Sequence, residues 1–215
     1  MIERDYIMRM IQMLVEALLR IFFFKEKKDY PKALNEIQNA SKTLIGVEID
    51  VIRRLSDVQM IDLLTMVKYF GSMKCYLAGV LLKEEGEIFE LQEKSAESID
   101  ARTKSLSLLT EAALGKGALL TSEHASAADA VAEKLDRATL PVHIHKKLFH
   151  YYELVHQFGK AENEVFNIVE KEPGFVEEGL LFYERLGNKS DDELREGNLS
   201  RKEIEEGMIE LREKK

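Results

Sequence analysis

The stretch IERDYIMRMIQMLVEALLRIFFFKEK, residues 2–27, decides the fold class of this chain. On a helical wheel, a few polar side chains recur every three or four residues and form one narrow stripe: Asp5, Arg9, Gln12, Glu16 and Arg20. Nearly every other residue from Tyr6 to Phe24 is apolar. A helix that faces a single neighbour has a narrower apolar arc than this. We therefore expect this helix to be buried on two or three sides, either at the centre of the domain or as half of a homodimer interface through Ile2–Phe24.

The composition of the chain favours a helical, globular protein of the cytoplasm. Its 215 residues are 45% hydrophobic and 33% charged, and they include only three prolines. The net charge of −8 argues against nucleic acid and against anionic membrane surfaces as partners. No uninterrupted apolar run reaches the roughly 18 residues of a membrane span, and Glu3, Arg4 and Asp5 do not fit a signal peptide. Cys75 is the single cysteine, which excludes an internal disulfide and is typical of a reducing compartment.

Helical spacing of apolar residues continues along the whole chain, and no convincing strand or glycine-rich phosphate loop interrupts it. The pattern predicts an all-α protein of about nine to eleven helices. We expect helices to be broken at Gly71–Ser72 and at Gly159, and to begin at capping boxes that start with Ser56, Ser190 and Ser200. The domain prediction is a helical repeat domain over residues 1–187, followed by a helical tail, 188–215, that packs on it or extends from it.

Three of the predicted helical hairpins share one frame. In each, a large residue late in the first helix precedes a small residue in the second helix by nine positions, and the pairs are Phe24 with Ala33, Phe89 with Ser98 and Tyr152 with Ala161. A small residue on one helix allows the other to approach closely, and a large residue fills the space one turn away. The frame therefore predicts three internal repeats of one hairpin.

This frame resembles the tetratricopeptide repeat (TPR), whose pattern is W-x2-L-G-x2-Y…A-x3-F…P. The third hairpin matches it best, while the second has Ser98 and Arg102 where a small and a bulky apolar residue are expected. The repeats are 65 and 63 residues apart, counted from Ala33 to Ser98 to Ala161, whereas TPR units recur at about 34. The resemblance therefore implies TPR-like hairpins stacked as an irregular α-solenoid or bundle.

Two further segments resemble an uncharacterised bacterial family of TPR-like proteins, a domain of unknown function. They are the opening run RDYIMRMI, residues 4–11, and LLKEEGEI, residues 81–88. This resemblance implies a fold and supplies no activity.

In TPR-like proteins the first helices of the hairpins line a groove that takes peptides or partner helices. The resemblance therefore implies a groove here that is formed by Val15, Leu18, Phe22, Lys83, Glu87, Glu90, His143, Lys146, His150 and Glu153. The Lys–Asn clamp with which some TPR domains hold a terminal carboxylate is missing, because Phe22, Glu87 and His150 stand at the Asn places. The leading function prediction is a protein-interaction module, a scaffold or adaptor for a protein or peptide, with no catalysis and no cofactor of its own.

Two alternatives stay open. In the first, the protein is a structural homodimer whose groove is filled by its own C-terminal helix, which has a thin apolar stripe of Ile204, Met208 and Leu211. In the second, the region His143–Glu153 binds a ligand or a metal or carries an enzymatic site, because four of the five histidines lie between residues 143 and 156. An i,i+4 histidine pair, as in the zinc-protease motif, is absent, so we expect no metal and no catalytic residues.

Overall fold

A computed structural model describes residues 2–66, 70–115 and 122–214, with side chains described from Asp5 in the first helix and from Ser126 in the third segment. Within these residues the chain forms twelve α-helices, two short 3-10 helices and no strand. The predicted all-α fold class is confirmed. The chain forms two compact units, unit 1 (Met1–Leu135) and unit 2 (Asp136–Lys215).

Unit 1 contains α1 (Ile2–Glu26), α2 (Tyr30–Leu44), α3 (Ile49–Arg54), α4 (Asp57–Thr65), α5 (Gly71–Leu91), α6 (Ser95–Leu114) and α7 (Ser122–Ala132). Unit 2 begins with a 3-10 turn (Arg137–Thr139) and contains α8 (Val142–Leu154), α9 (Phe158–Lys171), a second 3-10 turn (Pro173–Phe175), α10 (Val176–Gly187), α11 (Asp191–Glu196) and α12 (Arg201–Glu213). The described part of the chain thus has one α-helix more than the predicted range, because residues 49–54 form a helix of their own.

Three hairpins, α1/α2, α5/α6 and α8/α9, have the same turn. Each turn contains one residue with positive φ, namely Lys28 (56°), Glu93 (62°) and His156 (59°). The N–H of the next residue donates, at 2.9 Å in all three cases, to the carbonyl of the large residue of the frame: Phe24, Phe89 or Tyr152. This is the Schellman arrangement that ends many helices. The frame seen in the sequence is therefore a backbone repeat as well.

Small residues bring α5 and α6 close together. The Ser98 hydroxyl donates to the carbonyl of Gly86 at 2.8 Å, and the Ser105 hydroxyl donates to the carbonyl of Gly79 at 2.7 Å. A Cβ at either glycine would lie only 2.8 Å from a side-chain atom of α6. Ser98, which departs from the TPR pattern, thus acts as the small residue of this hairpin and adds a hydrogen bond.

The prediction that α1 lies at the centre of the domain is wrong, while the alternative, that α1 is half of a homodimer interface, stays a prediction. Among the described side chains of α1, one stripe is buried, and it consists of Ile7, Met10, Leu14, Ala17 and Ile21. In unit 1 this stripe packs mainly on α2, with a smaller contact to α5. The apolar residues on the outward face of α1 remain exposed to solvent.

Two predicted breaks lie inside helices. Gly71 and Ser72 form the first turn of α5, and Gly159 belongs to α9. A Cβ at Gly159 would lie 2.5 Å from the carbonyl oxygen of Asn198, so this glycine permits a close approach rather than a turn. The turn between α8 and α9 comes earlier, at His156.

The C-terminal tail belongs to unit 2, where α12 packs on α10. All three capping boxes, at Ser56, Ser190 and Ser200, are confirmed. The Tyr183 hydroxyl of α10 donates to Glu162 of α9 at 2.6 Å. The separation of residues 1–187 from the tail as domains stays a prediction.

Candidate protein-interaction site

An apolar stripe on α1 faces solvent. Met8, Val15, Leu19 and Phe22 are 50%, 49%, 64% and 58% exposed, and their spacing of seven, four and three residues places them on one side of the helix. We call these four residues the α1 face. Contiguous apolar patches larger than a few hundred Å² mark sites of protein interaction, whereas singly scattered apolar residues need no explanation.

A pocket of about 720 Å³ lies between the α1 face and the C-terminal half of α5. Its lining consists of Val15, Leu18, Leu19, Phe22, Lys25, Glu26, Lys28, Tyr30, Glu84, Glu87 and Leu91. We call it the α1–α5 pocket. Four of the predicted groove residues, Val15, Leu18, Phe22 and Glu87, meet in it.

A group of ion pairs joins α1 to α5 at the rim of the pocket. The Nζ of Lys25 lies 2.6 Å from Glu84 and 2.7 Å from Glu87, and the Nζ of Lys83 lies 3.1 Å and 3.2 Å from the same two carboxylates. Burial lowers the pKa of Lys25, but its hydrogen bonds to Glu84 and Glu87 outweigh that effect and raise the pKa overall. These four side chains neutralise each other and fix the end of α1 to α5.

Glu90, the other groove residue predicted on α5, has a different role. Its carboxylate binds the guanidinium of Arg102 on α6 at 2.5 Å. Arg102 itself is buried, and its Cγ is the atom that a Cβ at Gly86 would meet. Glu90 therefore contributes to the α5/α6 hairpin rather than to the α1–α5 pocket.

The remaining four predicted groove residues lie on α8, in unit 2. Lys146 binds Glu172 at 2.8 Å, and Glu153 accepts two hydrogen bonds from Arg185, at 2.6 Å and 3.0 Å. His143 and His150 are exposed. Lys146 and Glu153 thus join α8 to neighbouring segments of the same unit.

A family model described as a family of unknown function, DUF6483, matches residues 1–215. The chain belongs to this family. Among proteins with curated descriptions, none matches it. The crystal structure of the de novo designed helical repeat protein DHR64 is similar over 99% of this chain and 98% of that chain, with 20% sequence identity and a TM-score of 0.28. None of the helices in the described part of the DUF6483 chain combines the length and apolar character that a membrane crossing needs.

Unit 2 of this DUF6483 chain also contains a buried polar group that the sequence reasoning missed. Glu164 of α9 is almost fully buried and binds Arg137 at 2.8 Å and the Nδ1 of His145 at 2.6 Å. The Nε2 of His145 lies 3.2 Å from the Nζ of Lys171, which also donates to the carbonyl of Leu140 at 2.8 Å. These contacts hold the segment before α8 against α9.

A signal for this group exists in the sequence. Glu164 lies on the buried side of α9 together with Ala161, Val165 and Ile168, so a charged residue occupies a core position of the helical pattern. His145 is buried, whereas His143 and His150 are exposed. Across the described residues, no three His, Cys, Asp or Glu side chains lie together in a way that would hold a metal ion. The absence of metal and catalytic residues stays a prediction.

Proposed function

We propose that the chain is a protein-interaction module, a scaffold or adaptor without catalysis of its own, and that it binds an amphipathic helix of a partner protein on the α1 face and in the α1–α5 pocket. The observation that carries the proposal is the exposure of Val15, Leu19 and Phe22 at i, i+4 and i+7 beside an open pocket. Helix-in-groove recognition uses apolar anchors with this spacing.

The dimensions of the α1 face favour one helix over a second copy of the chain. From Met8 to Phe22 the face is about 21 Å long and about one helix, 10 Å, wide, which gives roughly 200 Å². Stable interfaces bury about 800 Å² on each partner. A helix that enters the pocket gains further contacts with Leu18 and Leu91.

The charges at the rim define the chemistry of the partner helix. The paired side chains of Lys25, Lys83, Glu84 and Glu87 neutralise each other, so a partner that covers them leaves no unpaired charge among these four. Glu26, which is exposed, also lines the pocket. Lys28 is also exposed and lines the same pocket. We expect a partner helix with apolar residues at i, i+3 or i+4 and i+7, and with a basic and an acidic residue at its edge that meet Glu26 and Lys28.

Two matched variants test this proposal. Leu19→Glu places a carboxylate in the centre of the α1 face, and Leu181→Glu places one at a residue of α10 that is also exposed, at 48%. Both changes add the same charge at an exposed position, so we expect both variants to remain folded. After gentle capture from cells that make the protein, native mass spectrometry is expected to show a second polypeptide with the wild type and with Leu181→Glu.

With Leu19→Glu, the amount of that polypeptide that stays bound is expected to fall at least about tenfold. The reason is that a charge buried against apolar anchors costs more than 1.4 kcal/mol of binding free energy. Equal retention by both variants would contradict the proposal. A homodimer that dissociates only in Leu19→Glu would support the structural homodimer instead.

A further inference from the structure

Three methionines lie between residues 8 and 13 of α1, and they differ in their exposure to solvent. Met8 and Met13 are 50% and 42% exposed, whereas Met10 is only 4% exposed. Each residue of an α-helix turns the chain by about 100°, so residues two positions apart point in different directions. Met10 therefore belongs to the buried stripe of α1, while Met8 belongs to the α1 face.

The exposure of a methionine governs how readily a hydroperoxide reaches its sulfur. In this reaction the Sδ lone pair attacks one oxygen of hydrogen peroxide, the O–O bond breaks and an S–O bond forms. The sulfur gives up two electrons, and the hydroxide that leaves takes the proton of the transferred oxygen and becomes water. The products are methionine sulfoxide and one molecule of water.

A sulfoxide at Met8 makes one end of the α1 face polar. Water donates hydrogen bonds to the sulfoxide oxygen as long as the face is exposed. A partner helix that covers Met8 removes this water, and its apolar anchors provide no donor in exchange. Because a buried polar group without a hydrogen bond is costly, oxidation of Met8 favours the unbound state.

Met13 has a similar exposure but a different location. It lies about 140° around the helix from Met8. There it lines a small cavity with Asn39 and Thr43 of α2. Oxidation of Met13 therefore leaves the α1 face apolar. The helix thus contains two controls for Met8, one exposed sulfur away from the face and one buried sulfur, that of Met10.

We propose that Met8 is a redox-sensitive modification site: a hydroperoxide converts it to the sulfoxide, and the sulfoxide releases the partner helix from the α1 face. The inference rests on the function proposed above, because it needs a partner on that face. Methionine sulfoxide reductases reverse the change, with two thiols giving a disulfide while the sulfoxide oxygen leaves as water.

The first measurement is the rate of oxidation of each methionine in the free protein. The purified chain is treated with limiting hydrogen peroxide, the peroxide is removed, and tryptic peptides are analysed by mass spectrometry. Trypsin separates Met8, in DYIMR (residues 5–9), from Met10 and Met13, in MIQMLVEALLR (residues 10–20). We expect Met8 and Met13 to react at least about tenfold faster than Met10.

The second measurement compares the binding of the partner before and after oxidation. The immobilised chain is exposed to an untreated lysate of cells of the same kind that lack the protein, and the retained second polypeptide is quantified by mass spectrometry. Relative to the untreated chain, oxidation is expected to lower the retained amount at least about fivefold. Methionine sulfoxide reductases with dithiothreitol are expected to restore it.

Two variants separate Met8 from the other oxidised side chains, and each is compared with its own untreated sample. Met8→Leu removes the sulfur and keeps an apolar side chain, so peroxide is expected to change its retention less than about twofold. Met13→Leu removes the exposed sulfur outside the α1 face and is expected to show the same fall as the wild type. Circular dichroism is expected to show equal helix content before and after peroxide, because Met8 is exposed.

Several outcomes overturn this inference and leave the proposed function in place. They are equal oxidation rates of Met8 and Met10, retention that does not change when Met8 is oxidised, or retention that the reductases do not restore. A fall that persists in Met8→Leu, a fall that disappears in Met13→Leu, or a loss of helix on oxidation also overturns it. If the untreated wild type retains no second polypeptide, the proposed function and this inference fail together.

Discussion

The hairpins α5/α6 and α8/α9 have the same turn, but different kinds of side chain pack between their two helices. Counted from the turn, Gly86 of α5 corresponds to Phe149 of α8, and both residues are buried. On the second helices, Ser98 corresponds to Ala161, and Ser105 corresponds to Ile168. At Gly86 and Ser105 one hairpin thus has a small residue where the other has a large apolar side chain, while Ser98 and Ala161 are both small.

Each kind of helix packing has its own source of stability. In α5/α6 the helices approach until serine hydroxyls reach glycine carbonyls. In α8/α9 the ring of Phe149 packs edge-on against Phe175 at 5.6 Å and Phe182 at 5.3 Å. The turn therefore sets the frame of the repeat, while the space between the two helices of a hairpin accepts either direct helix contact or large side chains.

The largest effect is expected from Phe149→Ala. The ring is 0% exposed and contacts two other rings, so its loss creates a cavity and lowers the free energy of unfolding by about 3–5 kcal/mol. Urea denaturation measures this change. Leu154→Ala on the same helix, at a residue 52% exposed, is the control and is expected to stay within about 0.5 kcal/mol of the wild type. A loss below about 1 kcal/mol for Phe149→Ala would show that the third hairpin does not depend on its large residues.

A smaller effect is expected from Gly79→Ala. The new Cβ would lie 2.8 Å from the Cγ of Leu109 and 3.3 Å from its backbone nitrogen, so the two helices must separate. The cost of overpacking exceeds the gain in helix propensity, and we expect a net loss of about 1–2 kcal/mol in thermal or urea denaturation. Gly187→Ala, with no atom within 4 Å of its Cβ, is the control. If both variants were stabilised equally, close contact would not be what holds α5/α6 together.

The smallest effect is expected from Ser98→Ala, which makes the second hairpin like the third at this position. The change removes one buried hydrogen bond, to the carbonyl of Gly86, and is expected to cost about 1 kcal/mol. The backbone of α5 still satisfies that carbonyl through its helical bond. A variant more stable than the wild type in the same denaturation experiment would mean that the hydroxyl does not stabilise the contact.

The sequence predicts the repeat well because its signals are local. Phe89 and Ser98, nine residues apart, lie on the two sides of one turn, and the capping boxes need only four consecutive residues. The prediction that α1 is buried on several sides within one chain failed because a helical wheel shows which residues are apolar but not how many neighbours are present. The exposed face of α1 therefore looks the same in the sequence as a buried one.

Four of the ten predicted groove residues lie together in unit 1. Val15, Leu18, Phe22 and Glu87 line the α1–α5 pocket, and their role in binding a partner stays a prediction. The pair of His145 and Glu164 joins two helices across 19 residues, and no local pattern relates these two positions. Contacts of this kind depend on how the hairpin packs.

The most direct test of the proposed docking surface is photo-crosslinking from Leu19. A photoreactive amino acid at Leu19, and in a control chain at Ile209, which is 58% exposed on α12, is activated in cells that make the protein. We predict that Leu19 crosslinks to a different protein, at a peptide with apolar residues at i, i+3 or i+4 and i+7, and that Ile209 does not. Crosslinks from Leu19 only to a second copy of this chain, or equal crosslinks from both positions, would contradict the account.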